Sequence, residues 1–449
     1  MTLACLTAAF ALAGTANAQI YTANLSGAQE VPVAATTATG YSRIEINEST
    51  GSLTFLVVFN GLSSSQTASH IHAPAAIGAN VGVAINFGAV GGTSGTISGT
   101  TVITPTQLAQ VRAGLAYVNV HSANFPGGEI RGQLAEARVV EFDGDGRTDF
   151  SVLRFPISTP SPITYFNLNS TTGFQAVNWG DANTDFPTPG DYDGDGRDDV
   201  AVYRAGATVG APSLFFILRS SDGAAQVVQW GVNGDQAVNR DYDGDGRTDI
   251  AIFRKGDSPT APAVWWIRNS SNGATQTIHW GTTGTASGAD VPVPDDYDGD
   301  GKTDVAIYRF GNISPANTFI VRRSSDGVAV FRQFGNFTTD FVVPGDFDGD
   351  GKGDFAVART GATISAPMIW FIQQSSNGQV RILQFGLSAD RPTPGDYDGD
   401  GRTDIAIYRP GATSAGQSTF WALGSLTNGV IQRPWGLGPD FPVATFSVR

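Results

Sequence analysis

Asp191-Tyr-Asp193-Gly-Asp195-Gly-Arg197-Asp-Asp199 leads directly into Val200-Ala-Val-Tyr-Arg204, an acidic nine-residue loop followed by a short apolar run. The same nonamer begins at Glu141, Asp191, Asp241, Asp296, Asp346 and Asp396. Successive copies are about 50 residues apart, the period of a propeller or solenoid in which each repeat is one supersecondary unit. Four strand-like runs accompany each loop. In the third unit they are Ile250–Arg254, Val264–Arg268, Thr275–Trp280 and Val291–Val293. Four strands per unit make a propeller blade.

The run preceding each loop is short and interrupted by proline (Phe186-Pro-Thr-Pro, Val291-Pro-Val-Pro, Arg391-Pro-Thr-Pro). Proline removes a ladder donor, so such a run belongs at an edge, here the inner edge near the axis. Asp222-Gly223, Asn272-Gly273, Asp326-Gly327, Asn377-Gly378 and Asn428-Gly429 predict two-residue hairpins between the third and fourth strands. Each outer strand then ends in an aromatic-glycine pair, from Trp179-Gly180 to Trp435-Gly436. These aromatics are expected to pack between blades, and a row of ligand-stacking platforms is the alternative. Six units are complete. Phe441–Val448 repeats the inner-strand pattern without its loop, either as a strand that closes a six-bladed ring or as the remnant of a seventh blade.

Carboxylates at positions 1, 3, 5 and 9 of the nonamer, glycines at 4 and 6, and a backbone carbonyl at 7 form a set of hard oxygen donors suited to Ca²⁺. The expected ligands are Glu141, Asp143, Asp145 and Asp149 with the carbonyl of Arg147 in the first loop, and Asp191, Asp193, Asp195 and Asp199 with Arg197 in the second. Asp241, Asp243, Asp245 and Asp249 with Arg247 serve the third, and Asp296, Asp298, Asp300 and Asp304 with Lys302 the fourth. Asp346, Asp348, Asp350 and Asp354 with Lys352 serve the fifth, and Asp396, Asp398, Asp400 and Asp404 with Arg402 the sixth. About six Ca²⁺ are predicted. The bland alternative is an Asx-turn loop that needs no metal. Six ions would bring the formal charge from −14 to about −2, so the acidity reads as a metal inventory.

Leu3 to Ala13 is apolar and Ala16-Asn17-Ala18 is a small-x-small site, which predicts a leader over residues 1–18 and export out of the cell, to its surface or to the periplasm. Cys5, the only cysteine, lies inside that leader, so rigidity must come from the core or from metal ions. No later segment is apolar enough to span a bilayer. With 41 acidic and 27 basic residues, nucleic acid is not an expected partner.

Residues 19–134 lack the acidic loop. Alternation from Tyr41 to Ile46 marks a half-buried strand, and the segment is expected to form a β-sandwich or small barrel. His70 and His72 lie two apart on one strand and therefore share a face, where His121 joins them if its strand is adjacent. Three imidazoles are a reasonable Zn²⁺ or Cu²⁺ site. The competing reading is a hydrogen-bonded structural cluster with Glu129 and Arg131. His279, alone on an outer strand, reads as structural.

The acidic loops and the Asp-hydrophobic-Ala-hydrophobic runs after them, such as Asp199-Val-Ala-Val-Tyr and Asp404-Ile-Ala-Ile-Tyr, resemble FG-GAP and VCBS-type repeats over residues 136–449. That resemblance implies a calcium-binding propeller used in adhesion or recognition. Leu25-Ser-Gly-Ala-Gln-Glu30, Ser69-His70-Ile-His72-Ala-Pro and Tyr117–Leu134 resemble the CHRD domain, named from chordin, over residues 21–134. The expected function is a secreted, non-catalytic, calcium-stabilised module that recognises an extracellular protein or carbohydrate. A propeller lectin is the alternative, and a hydrolase in the central funnel or a redox activity at the histidines ranks below it.

Overall fold

A computed structural model describes residues 18–47, 50–75, 78–112, 115–136, 140–156, 162–170, 172–258, 261–282, 290–311, 317–336 and 339–444. The expected leader falls outside the described residues except for Ala18, which opens the first strand.

The N-terminal part is one nine-stranded sheet: β1 (Ala18–Ser26), β2 (Thr39–Asn47), β3 (Ser52–Asn60), β4 (Gln66–His72), β5 (Val83–Gly88), β6 (Gly95–Val102), β7 (Tyr117–Ser122), β8 (Ile130–Gln133) and β9 (Ala135–Glu136). Its order is β5-β4-β7-β8-β1-β2-β3-β6, with β9 paired to β1. The two edges, β5 and β6, curl towards each other, so the shape is a half-barrel built from one sheet. Strict alternation places Ile44, Ile46, Leu53, Phe55, Val57, Ile71, Val118 and Val120 in its core.

Six four-stranded sheets follow, which settles the blade count. The third blade is typical, with Gln236–Ala237 innermost, then Ile250–Arg254, Pro262–Arg268 and Thr275–Thr282. In five of the six second strands every residue but the last is buried, as in Val200–Arg204, because both faces of the blade are covered there, while in Phe355–Arg359 the first residue is also half-buried. Each apolar cluster of the propeller joins two neighbouring blades. Ala251, Trp265 and Ile267 of the third blade pack with Val305 and Ile307 of the fourth, and Val152 of the first with Tyr408 and Phe420 of the sixth.

The ring closes through the chain end. Phe441–Pro442 supplies the inner strand of the first blade, pairing with Leu153 and Val152. Trp435 Nε1 at the same seam donates to the Phe166 carbonyl across the blades (3.1 Å). Trp179, Trp230 and Trp280 make the equivalent bond to the next blade. The repeated tryptophans are therefore inter-blade braces.

The hairpins between third and outer strands differ from the two-residue turns expected. Arg219 N–H donates to the Ala224 carbonyl and Gly223 N–H to the Arg219 carbonyl, so four residues, Ser220 to Gly223, make the turn, and of these only Gly223 has positive φ (67°). The longer turn carries two serines onto the acidic loop.

Candidate functional site

Five acidic loops join the inner strand of a blade to its second strand, and the first, Glu141–Asp149, leads into the second strand of its blade from the N-terminal side, so all six lie at the same end of the propeller. In the second loop, Asp191 accepts hydrogen bonds from the Gly194 and Gly196 N–H groups through its two carboxylate oxygens (2.5 and 2.9 Å). Both glycines need positive φ (81° and 82°), which is why no side chain serves at positions 4 and 6. Asp199 accepts from the Tyr192 and Ser220 N–H groups, and Asp195 from the Arg197 N–H and the Ser220 hydroxyl. Asp193 Oδ2 accepts from the Ser221 hydroxyl (2.6 Å). Glu141 caps Gly144 and Gly146 as an aspartate does, so the one-carbon-longer residue preserves the loop.

The remaining position-3 oxygen sets the loops apart. Oδ1 of Asp193, Asp243, Asp298, Asp348 and Asp398 is buried with no hydrogen-bond partner among the described residues. It lies inside a cluster of carboxylates. One oxygen from each of Asp191, Asp193 and Asp199 falls within 4.8 Å of the others, as in Glu141, Asp143 and Asp149, in Asp241, Asp243 and Asp249, and in Asp296, Asp298 and Asp300. Burial foremost, with the position-3 charge adding, raises the pKa of Asp149 and Asp199 to about 8 and of Asp249, Asp304, Asp354 and Asp404 to about 7. Burial and its three acidic neighbours push Glu141 to about 10. Burial, with neighbouring loop carboxylates adding, also raises Asp296, Asp346 and Asp396 well above the usual carboxylate range. The loops are thus prearranged in a form that disfavours their own ionisation unless a cation is bound.

The loops also contact one another. The position-8 N–H donates to the position-1 carbonyl of the preceding loop all the way round: Thr148 to Asp396, Asp198 to Glu141, Thr248 to Asp191, Thr303 to Asp241, Gly353 to Asp296 and Thr403 to Asp346. The position-7 side chains, expected only to lend a carbonyl, also pack on the neighbouring loop. A Cβ on Gly194 would fall 2.6 Å from Arg247 Nε, and Gly244, Gly299 and Gly399 lie under Lys302, Lys352 and Arg147 in the same way.

Sequence reading missed three recurrent features. The serine pairs (Ser220-Ser221, Ser270-Ser271, Ser324-Ser325, Ser375-Ser376) were visible as repeats but had no role until the hairpin met the loop. An Arg–Asp pair occurs in every blade: Arg154–Asp440, Arg204–Asp185, Arg254–Asp235, Arg309–Asp290, Arg359–Asp340 and Arg409–Asp390. Six aspartates outside the loops are therefore neutralised by arginine, so not all of the regular acidity serves the loops. The position-8 hydrogen-bond ring, involving only backbone, left no residue signature.

In the N-terminal sheet, β4 and β7 are neighbours in the register Ala68↔His121, His70↔Asn119 and His72↔Tyr117. His70, His72 and His121 therefore share the face opposite Ile71, Val118 and Val120 of the core. One ring nitrogen from each lies within 4.8 Å of the others. Glu129 and Arg131 do not complete this cluster. Glu129 is held by Thr36, Ser63 and Ser122, while Arg131 stacks on Tyr117 (4.0 Å) and donates to Asn80. Burial lowers the pKa of all three histidines, that of His70 to about 4 with His121 and His72 contributing. His279 is exposed on its outer strand.

The architecture defines a six-bladed propeller with one acidic nonamer per blade, preceded by a curled β domain. Residues 21–134 match the CHRD domain, and residues 241–307 and 346–407 match the FG-GAP-like repeat. The chain therefore carries a CHRD domain followed by FG-GAP-like repeats. Among solved structures it is similar to a chimera of ACO and RPE65 in a monoclinic crystal form, with 11% identity over 73% of this chain and 85% of that one and a TM-score of 0.36. No curated protein sequence matches the chain significantly. Among the described residues no helix is long and apolar enough to cross a membrane.

Proposed function

We propose that this chain is an exported, non-catalytic recognition module whose propeller is braced by Ca²⁺ in its acidic loops. One observation carries the calcium reading: a buried position-3 carboxylate oxygen without a hydrogen-bond partner among the described residues, recurring from Asp193 to Asp398, with the carboxylates of positions 1 and 9 beside Asp193 and Asp243 and those of positions 1 and 5 beside Asp298. An unpaired buried anion is costly, and an all-oxygen donor set matches Ca²⁺. Positions 1, 3, 5 and 9 with the position-7 carbonyl would hold the ion, which supplies charge neutralisation where an inner and a second strand meet. Isothermal titration of the chelator-treated chain tests this. About six Ca²⁺ should bind, and chelation should lower the melting temperature of the propeller strongly and of the N-terminal sheet little. An unchanged propeller transition overturns the assignment.

The recognition reading is supported by what most of the propeller's aspartates already do, since all but Asp181, Asp257 and Asp295 occupy loops or arginine pairs. At the opposite end of the propeller, the connections between second and third strands of the second and fifth blades bear Val209 and Ile364, 90% and 78% exposed. An extracellular protein or carbohydrate is the proposed partner, met at that end. Export rests on the leader-like residues 1–18. A screen against glycans and extracellular proteins, repeated with Val209→Asp and Ile364→Asp, tests the surface, and binding indifferent to both changes moves it elsewhere. The lectin alternative loses its simplest support, because the recurrent tryptophans are committed between blades.

A further inference from the structure

The three histidines of the N-terminal sheet differ in kind from the acidic loops, and their tautomers are set by the backbone. His72 Nδ1 lies 2.9 Å from the Val81 carbonyl and His121 Nδ1 lies 3.0 Å from the Pro126 carbonyl. A carbonyl only accepts, so both Nδ1 atoms carry the proton and both Nε2 atoms keep a lone pair. His72 Nε2 is buried, in a residue only 7% exposed, and has no hydrogen-bond partner among the described residues. His121 Nε2 faces His70 Nδ1 at 3.1 Å. Two imidazole nitrogens bound to one tetrahedral ion at 2.0–2.1 Å would sit about 3.3 Å apart. Carbonyl groups that fix the remote nitrogen are the usual outer-shell arrangement of metal-bound histidine. The His72 ring is also held by stacking on Tyr117 (4.8 Å, 4°).

We propose that His70 Nδ1, His72 Nε2 and His121 Nε2 form a three-nitrogen site for a late first-row divalent ion, with Cu²⁺ bound more tightly than Zn²⁺. Neutral imidazoles suit both ions, and affinity for such nitrogen donors peaks at copper. His70 is only half-buried, so the site opens to solvent on its side, leaving a coordination position for water or an exogenous ligand. Calcium, which prefers oxygen donors, does not compete here. A metal-free hydrogen bond between His70 and His121 would satisfy those two rings but leaves His72 Nε2 without a purpose.

The full chain, saturated with Ca²⁺ to occupy the acidic loops, is titrated with Cu²⁺ and followed by electron paramagnetic resonance and calorimetry. One equivalent should bind with hyperfine splitting from imidazole nitrogens, and Zn²⁺ titrated in its place should bind one equivalent more weakly. His72→Gln and His121→Gln should each weaken binding at least about 100-fold, since loss of an outer-shell partner alone costs about 10–100-fold. His70→Gln, at the more exposed position and without a backbone bond to lose, gives the same readout should the buried variants fail to fold. Copper binding that persists unchanged in His70→Gln, a spectrum from oxygen donors only, or Zn²⁺ bound more tightly than Cu²⁺ would each overturn the assignment.

Discussion

Replacing Asp440 with alanine tests the closure of the ring. The Asp440 side chain is fully buried and takes Arg154 in a two-point grip, Nε to Oδ1 at 2.7 Å and Nη2 to Oδ2 at 2.8 Å, while Oδ2 also accepts the Leu437 N–H. Breaking a buried pair from one side costs about 3–5 kcal/mol, but Arg154 is 35% exposed and can rehydrate, which pulls the figure towards the lower end. The abandoned Leu437 N–H adds about 1 kcal/mol. A loss of about 3 kcal/mol is expected. Asp235 is the internal control, because it makes the same contacts to Arg254 of the third blade and to the Val232 N–H at the end of the second. There the inner strand runs continuously through its own loop into the second strand, whereas Phe441–Pro442 is attached to its blade only by pairing and side chains. Asp440→Ala should therefore match Asp235→Ala in urea unfolding at saturating Ca²⁺, and in addition accelerate amide exchange in Phe150–Arg154 and Val430–Leu437. Exchange in the Asp235 variant should rise less in Ile250–Arg254, whose inner strand stays attached through its own loop. If both variants lose less than about 1 kcal/mol, or if Asp440→Ala leaves exchange of the first blade unchanged, the pairs do not latch the ring as argued.

Trp230→Phe keeps the ring but removes the bond to the Trp266 carbonyl, and should cost about 1 kcal/mol in the same unfolding assay. Asp193→Asn should act with opposite signs: with chelator present it relieves Asp199 and stabilises the propeller by about 1 kcal/mol, and with Ca²⁺ present it destabilises by removing a ligand. With metal chelated, stability should fall as pH rises. The position-9 carboxyls, held near 7 to 8 by burial, add stability that is complete below their ordinary value of 3.8 and is lost as pH passes 7 to 8, so melting at pH 5 should exceed that at pH 8. Saturating Ca²⁺ should remove or reverse that slope.

Much of this architecture is legible one residue at a time. Prolines already mark the inner edge, the trailing Phe441–Pro442 allows either a closing strand or a seventh blade, and the glycines at positions 4 and 6 already imply a tight loop around its own carboxylates. The turn at Ser220–Gly223 was misread as shorter because Asp-Gly favours a two-residue hairpin locally, and only the demand that Ser220 and Ser221 reach Asp195 and Asp193 makes the longer turn preferable. The arginine pairs recur with the same period as the loops, yet their partners lie 19 residues apart, or 286 for Arg154 and Asp440, beyond any local rule. In the first domain, alternation identified the buried face of β2 but not whether two sheets or one curled sheet would bury it, since both satisfy the same pattern.

Spacing and residue type alone determined the repeat, its four strand-like runs, the acidic loops with their oxygen donors, and the shared face of His70 and His72, because each depends on contacts within about ten residues or on the two-residue period of a strand, whereas the structure moves the last run of the third unit, Asp290–Pro292, into the fourth blade. Tertiary structure alone decided that the blades number six, that every loop touches the next through its backbone, that one oxygen of each position-3 aspartate from Asp193 to Asp398 is left without a hydrogen-bond partner, and that His121 arrives beside His70. Those outcomes depend on strand register and ring closure, where segments far apart in the chain compete for the same buried surface, and no local preference encodes which of them meet.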